Sequence, residues 1–355
     1  MLFAFNLWNH NATGKRSIED IIGIIAQQLR AMSHEAWWDP SKSGEQETTF
    51  VYGPNRINVI VEGFKPYHVE RLAAAHAGGC RFIMLATEEP TPNGFNHGIT
   101  PESGSNPHLR AMQQEMVNRQ EIFPEAAKFC EGILHLVPGK HITEWYSQFA
   151  PSAYAELGYA PKLYRPRQFP VPTYDFGFYG SLTPRRQVVL YKLAKAIRRP
   201  YDQAVVVVSD FKTQEERDYL MRRAKVLLQI RKVEAMGLVS SSRCNTALMI
   251  GRPIVAESHD LSKPWDEVID FPATPEEFHE NALAARDSWR ELHAEQLERF
   301  KKAFPPDYCI GEPLRTIGIK EIPMPRRVPV GTVDPVAQAA AARRKRMLKY
   351  GTALR

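Results

Sequence analysis

Four consecutive valines, Val205–Val208, constrain this chain more than any other run. Successive side chains of a strand point to opposite faces, so an unbroken β-branched run needs apolar cover on both sides. A parallel sheet between two helical layers supplies that cover. Ile57–Val61, Arg81–Ala86, Val226–Ile230 and Pro253–Glu257 read in the same way. Helical periodicity fills the intervals between them. Ile18, Ile21, Ile22, Ile25 and Leu29 share one face over 18–32, and further helices are expected near 67–77, 109–129, 184–198 and 213–224. Strands alternating with helices in both halves predict an α/β chain with parallel sheets covered on both faces.

The 355 residues are enough for two domains, each with its own core. Residues 160–173 hold four prolines and few regular signals, so the linker is placed at 161–173. This divides the chain into an N-terminal domain at 1–160, a C-terminal domain at 174–304 and a Pro-rich, basic extension at 305–355. Within these, a helix is expected over 142–157, another from Thr274 to about 303, and a segment over 305–335 that either wraps the surface or is loose. Residues 90–108 read as a long loop. The net charge of +6 is uneven: residues 312–355 carry ten Lys/Arg against three acids, leaving the body near neutral. That pattern indicates an interaction tail rather than a uniformly basic surface. No run approaches the ~18–20 apolar residues of a membrane span. The N-terminus lacks the basic start of a signal peptide, and Cys80, Cys130, Cys244 and Cys309 lack metal spacing. A reduced, cytoplasmic protein is expected.

Chemistry concentrates between 174 and 257. Tyr174–Tyr179 reads as a strand and Gly180-Ser181 as a tight turn where a missing Cβ admits a ligand. Thr183 caps a helix, Pro184 takes its first position, and Arg185 and Arg186 fall in its first turn. Cations there oppose the helix dipole, which an anionic ligand would offset. The second unit opens with Ser240, Ser241, Ser242 and Arg243, places Asn245 in the helix, turns at Gly251, and delivers Glu257 to the end of a strand. Hydroxyls, a helix N-terminus and a guanidinium fork suit phosphate oxygens. Gln229 lies near the end of the strand between the two units. Gly180, Ser181, Arg185, Arg186, Gln229, Ser241, Ser242, Arg243, Asn245 and Glu257 are the expected donor-binding set. In the N-terminal half, His10, Glu62, Glu88 and Glu89 fall at expected strand ends, where ligands of open α/β sheets gather, and are the candidate bases.

The runs Tyr-Asp-Phe-Gly-Phe-Tyr-Gly-Ser-x-x-x-Arg-Arg (174–186), Ala-Lys-Val-Leu-Leu-Gln-Ile (224–230) and Ser-Arg-x-Asn-x-Ala-Leu-x-x-Gly-Arg-Pro-Ile-Val-Ala-Glu (242–257) resemble the C-terminal half of GT-B glycosyltransferases. They are most similar to the bacterial and phage group that includes CgeB-like proteins. The resemblance spans roughly 130–304. It implies two Rossmann-like domains facing across a cleft, a nucleotide-sugar donor (UDP-linked) in the second, an acceptor mainly on the first, and no cofactor or obligatory metal. Glu234-Ala-Met-Gly237 is similar to one element of the retaining pattern, but Thr246 stands where that pattern has a second glutamate. The stereochemical outcome stays open. Function is accordingly expected to be metal-independent transfer of a sugar from a nucleotide-diphosphate sugar to a hydroxyl. Two alternatives keep the fold. One is a phage-type DNA-base glycosyltransferase holding nucleic acid through 312–355. The other is a non-catalytic sugar- or partner-binding module.

Overall fold

The structure, a computed structural model, describes residues 1–6, 12–37, 52–61, 65–97, 107–160, 171–209, 211, 213–232, 238–258 and 264–319. Both sheets anticipated from the valine-type runs are present, and every strand pair in them is parallel. The first contains β1 (Leu2–Asn6), β2 (Glu35–Trp37), β3 (Ile57–Val61), β4 (Arg81–Ala86), β5 (Gly132–His135) and β6 (Ser152–Tyr154), in the order β2-β1-β3-β4-β5-β6. The second contains β7 (Tyr174–Tyr179), β8 (Val205–Val208), β9 (Ala224–Gln229) and β10 (Ile254–Ala256), in the order β10-β9-β7-β8. Both sheets lie within one compact unit, Leu2–Lys320.

Helices fill the intervals, α3 (Pro107–Ala127) and α6 (Tyr201–Ala204) among them, and four of them begin where capping chemistry places them. In α2 (Pro66–Ala77) the Lys65 backbone N–H donates to His68 Nδ1 at 3.0 Å, with proline at the first position. In α5 (Pro184–Ala196) the Thr183 hydroxyl accepts from the Arg186 N–H, and in α7 (Gln214–Met221) Thr213 accepts from Glu216. The same hydroxyl role opens α9 (Pro275–Asp287) at Thr274. One face of the second sheet packs on α5 and α9 through Phe176, Phe178, Leu190, Leu193 and Phe278. The other face packs on α7, α8 (Ser241–Met249) and α10 (Trp289–Ala303) through Tyr179, Met221, Leu248, Trp265 and Phe300. A polar residue inside β3 also has a purpose. The Asn58 amide is buried and donates to Gly53 O and Arg81 O at 3.0 and 2.9 Å, pinning the chain that enters the strand.

Three expectations about elements need correction. The helix expected over 142–157 is short, α4 (Lys140–Tyr146), and is followed by β6. Pro151 disfavours helical backbone before it, and Ser152 Oγ donates to the Thr143 carbonyl at 3.1 Å. The long helix to 303 breaks at Ser288, whose hydroxyl bonds the Ala284 carbonyl at 3.1 Å. Residues 305–319, read as wrapping the surface or loose and without regular structure, contain a π-helical turn at Asp307–Gly311 and α11 (Glu312–Thr316), with Ile310, Leu314, Ile317 and Ile319 buried. This segment returns to the first sheet: the Glu156 N–H donates to Cys309 O at 3.0 Å and the Tyr159 N–H to Phe304 O at 2.9 Å.

Candidate functional site

The turn after β7 sets the geometry. Gly180 has φ +128, a conformation nearly reserved for glycine, and its N–H donates to the Val208 carbonyl at 3.0 Å. A Cβ at Gly180 would lie 3.0 Å from Arg243 Nη2. The bare backbone therefore leaves room for a guanidinium that comes from a different helix.

Three arginines meet beyond the ends of β7, β9 and β10. Arg185 makes a bidentate pair with Glu257, both contacts at 2.9 Å, and donates to the Arg231 carbonyl at 3.2 Å. Glu257 also accepts from the Arg231 N–H at 2.6 Å, so this carboxylate joins the start of α5 to the chain leaving β9. Arg186 is held by oxygens without formal charge: Ile230 O at 3.0 Å, Ser181 O at 2.8 Å and Ser181 Oγ at 3.3 Å. Arg243, in the first turn of α8, donates to Tyr179 O at 3.1 Å and to the side-chain carbonyl oxygen of Gln229. Arg186 and Arg243 both contact the Phe178 ring, at 5.0 and 5.3 Å from its centroid.

The electrostatics follow from this crowding. Burial and then the neighbouring Arg243 charge lower Arg186 to about 10. Burial lowers Arg243 as well, and burial together with Arg186 lowers Lys232. Cations gathered this closely, with burial disfavouring their charge, favour an anion with several oxygens. The Gln229 amide nitrogen is buried with no partner among the described residues, leaving a neutral donor beside Arg243.

Two members of the expected donor set are committed elsewhere. The Asn245 amide donates to the Leu157 and Gly158 carbonyls, both at 2.9 Å, so its N–H groups hold the segment after β6 against α8. Ser241 Oγ accepts from Trp265 Nε1 at 2.9 Å and hydrogen-bonds the buried Glu156 carboxylate. Ser242 lies beside them, its carbonyl 3.5 Å from the Tyr179 hydroxyl. Gly180, Ser181, Arg185, Arg186, Gln229, Arg243 and Glu257 are brought together.

On the first sheet, His10 and Glu62 lie outside the described residues, as does Glu234. Glu88 is tied up: Arg119 pairs with it at 3.0 Å and the Asn96 amide donates to it. Glu89 differs. Its backbone is clasped by Asn96, N–H to Oδ1 at 2.9 Å and O from N–H at 2.7 Å, while its half-buried carboxyl is pushed up by burial and drawn back by His141. Sequence reading missed His141; the Val-Pro-Gly-Lys turn that presents it after β5 was the available signal.

No protein-family model matches the chain, and no curated protein matches it. Solved structures align with it. TarM aligns at 10% identity and a TM-score of 0.46, covering 77% of this chain and 56% of TarM, so the chain spans just over half of that protein's length. AviGT4, a glycosyltransferase involved in Avilamycin A biosynthesis, aligns at 11% identity and 0.46, covering 89% and 97%. The trehalose-6-phosphate protein from E. coli bound with UDP-2-fluoro glucose aligns at 10% and 0.47, covering 90% and 99%.

Proposed function

We propose that this chain is a glycosyltransferase of the GT-B kind, moving a sugar from a nucleoside-diphosphate donor, UDP-linked in this reading, to an acceptor hydroxyl. One observation carries the proposal. Arg186 and Arg243 share the face of Phe178 beyond the strand ends, held by carbonyl and hydroxyl oxygens rather than carboxylates, with Gly180 keeping the backbone open. In transfer, the bond between the anomeric carbon and the diphosphate oxygen breaks as the acceptor oxygen bonds to that carbon. The diphosphate leaves with its electron pair, and the two guanidiniums stabilise the charge that develops on it. The acceptor proton needs a base. Glu89, raised by burial and facing His141, supplies one from the first sheet. The resemblance of 174–257 to CgeB-like transferases supports the donor side of this reading.

The test is calorimetric titration of wild type and Arg243→Ala with UDP, UDP-glucose and uridine. A charged hydrogen bond contributes about 1.5–3 kcal/mol, so UDP affinity should fall roughly 10- to 100-fold in the variant while uridine binding barely changes. Equal UDP affinity in both proteins would remove Arg243 from the donor site and the proposal with it.

A further inference from the structure

The anion site is joined to a helix of the first sheet by a chain of contacts that the proposed chemistry does not use. Asp20 lies on α1 (Ala12–Ala31), which follows β1, and Arg217 lies on α7, which follows β8. Their side chains form a direct ion pair across 197 positions of sequence, with Arg217 only 2% exposed. Arg217 also donates to Asp218 at 3.0 and 2.7 Å. Its guanidinium sits 4.9 Å from the centroid of the Tyr179 ring and 5.4 Å from that of Phe211. The same Tyr179 ring lies 5.3 Å from the guanidinium of Arg243, and the Tyr179 carbonyl accepts from Arg243 Nε.

Two cations thus rest against one aromatic ring, and only one of them has a carboxylate in this set of contacts. Asp20 and Asp218 together offset the Arg217 charge beside a ring that Arg243 also faces, and removing Asp20 leaves that charge with Asp218 alone. The pair borders a cavity of mixed lining. The cavity, of about 120 Å³, lies among α1, α7 and α8, lined by Glu19, Asp20, Arg217, Asp218, Asn245 and Thr246 among others. At this junction a buried ion pair links the two helices.

We propose that Asp20, Arg217 and Tyr179 are positioning residues that transmit the docking of α1 on α7 to Arg243, so that the anion site is complete only when the two helices are engaged. The proposal rests on the anion-site reading of Arg243. It makes donor binding and helix docking reciprocal: a diphosphate that holds Arg243 in place stabilises the docked arrangement, and docking raises affinity for the diphosphate by the same factor.

The experiment reads Arg243 directly in the ligand-free full chain. Solvent exchange of its Nε–H is followed by ¹H–¹⁵N NMR, with the signal assigned through Arg243→Lys. Asp20→Asn, Arg217→Met, Tyr179→Leu and Tyr179→Phe are compared with wild type, at a temperature where thermal melting shows each folded. Exchange should accelerate about tenfold or more in the first three and stay at the wild-type rate in Tyr179→Phe, which keeps the ring. Pyrophosphate affinity, titrated in parallel, should weaken about tenfold in the same three and be rescued in Tyr179→Phe. Wild-type exchange in folded Asp20→Asn and Tyr179→Leu overturns the relay. If Arg217→Met does not fold, those two variants and Tyr179→Phe still decide it. Failure of wild type to bind pyrophosphate would sink the donor-site reading, while the exchange rates would still judge the relay.

Discussion

Gly180 is the residue on which the site's geometry turns. Alanine there must adopt φ +128 and place a methyl carbon 3.0 Å from Arg243 Nη2. Gly180→Ala should therefore cost about 1–3 kcal/mol of stability in urea denaturation and weaken UDP binding about tenfold, because Arg243 has to move. A stable variant with normal affinity would mean that the turn does not shape the site. Gly180, Arg185, Arg186 and Arg243 were legible in the sequence because each sits in a local pattern of strand, turn and helix start. Ser241 and Asn245 occupy the same kind of pattern, yet their hydrogen bonds go to Trp265 and to the 157–158 carbonyls. Those partners lie tens of residues away, and no local pattern encodes them. The bidentate Arg185–Glu257 pair was hidden for the same reason: each residue was read as facing a ligand, and they face each other as well.

At the scale of elements, α8 has two duties. Its first turn contributes Arg243 to the anion site, and its next turn uses Asn245 to grip the segment after β6. Asn245→Ala should separate them. Two buried carbonyls would lose their donor, so unfolding free energy should drop by about 2–3 kcal/mol, while UDP affinity in the folded protein stays within about twofold. A loss of affinity as large as that of Arg243→Ala would return Asn245 to the donor site. Strands and caps were legible because burial on both faces and hydroxyl capping are written in short windows. The breaks at Ser147–Ser152 and Ser288 were not, because serine side chains compete with the helix only when a particular backbone carbonyl is in reach. The helical turns of 305–319 were missed because its prolines hide four buried apolar residues, of which Ile317 lies against Gly132 of the first sheet.

For the whole molecule, acid sensitivity has an identifiable source. His135 is fully buried at the end of β5, with Nδ1 donating to Val137 O at 2.8 Å and Nε2 2.9 Å from the Thr143 hydroxyl. Burial lowers it from 6.5 to about 4. The unfolded chain takes up this proton below pH 6.5 and the folded chain resists it until about 4, so stability is present above 6.5 and lost as pH falls between them. By linkage the loss is roughly 3 kcal/mol. Carboxyls raised by burial, Asp20 and Glu156, act in the opposite direction, so the comparison must be made between proteins. Subtracting the His135→Gln stability curve from that of wild type, by urea denaturation from pH 7 to 4, should reveal this slope. Parallel curves would show that His135 does not control it.

Residues 304–319 close over the end of the first sheet, hydrogen-bonding 156 and 159 and setting Ile317 against Gly132. A ribosome must therefore release the entire second sheet before the first can be finished. At a synthesis rate of about 5–20 residues per second, the earlier half waits roughly 10–30 s with that edge uncovered. During that interval an edge of the first half stays open, and the first half matures only after the second.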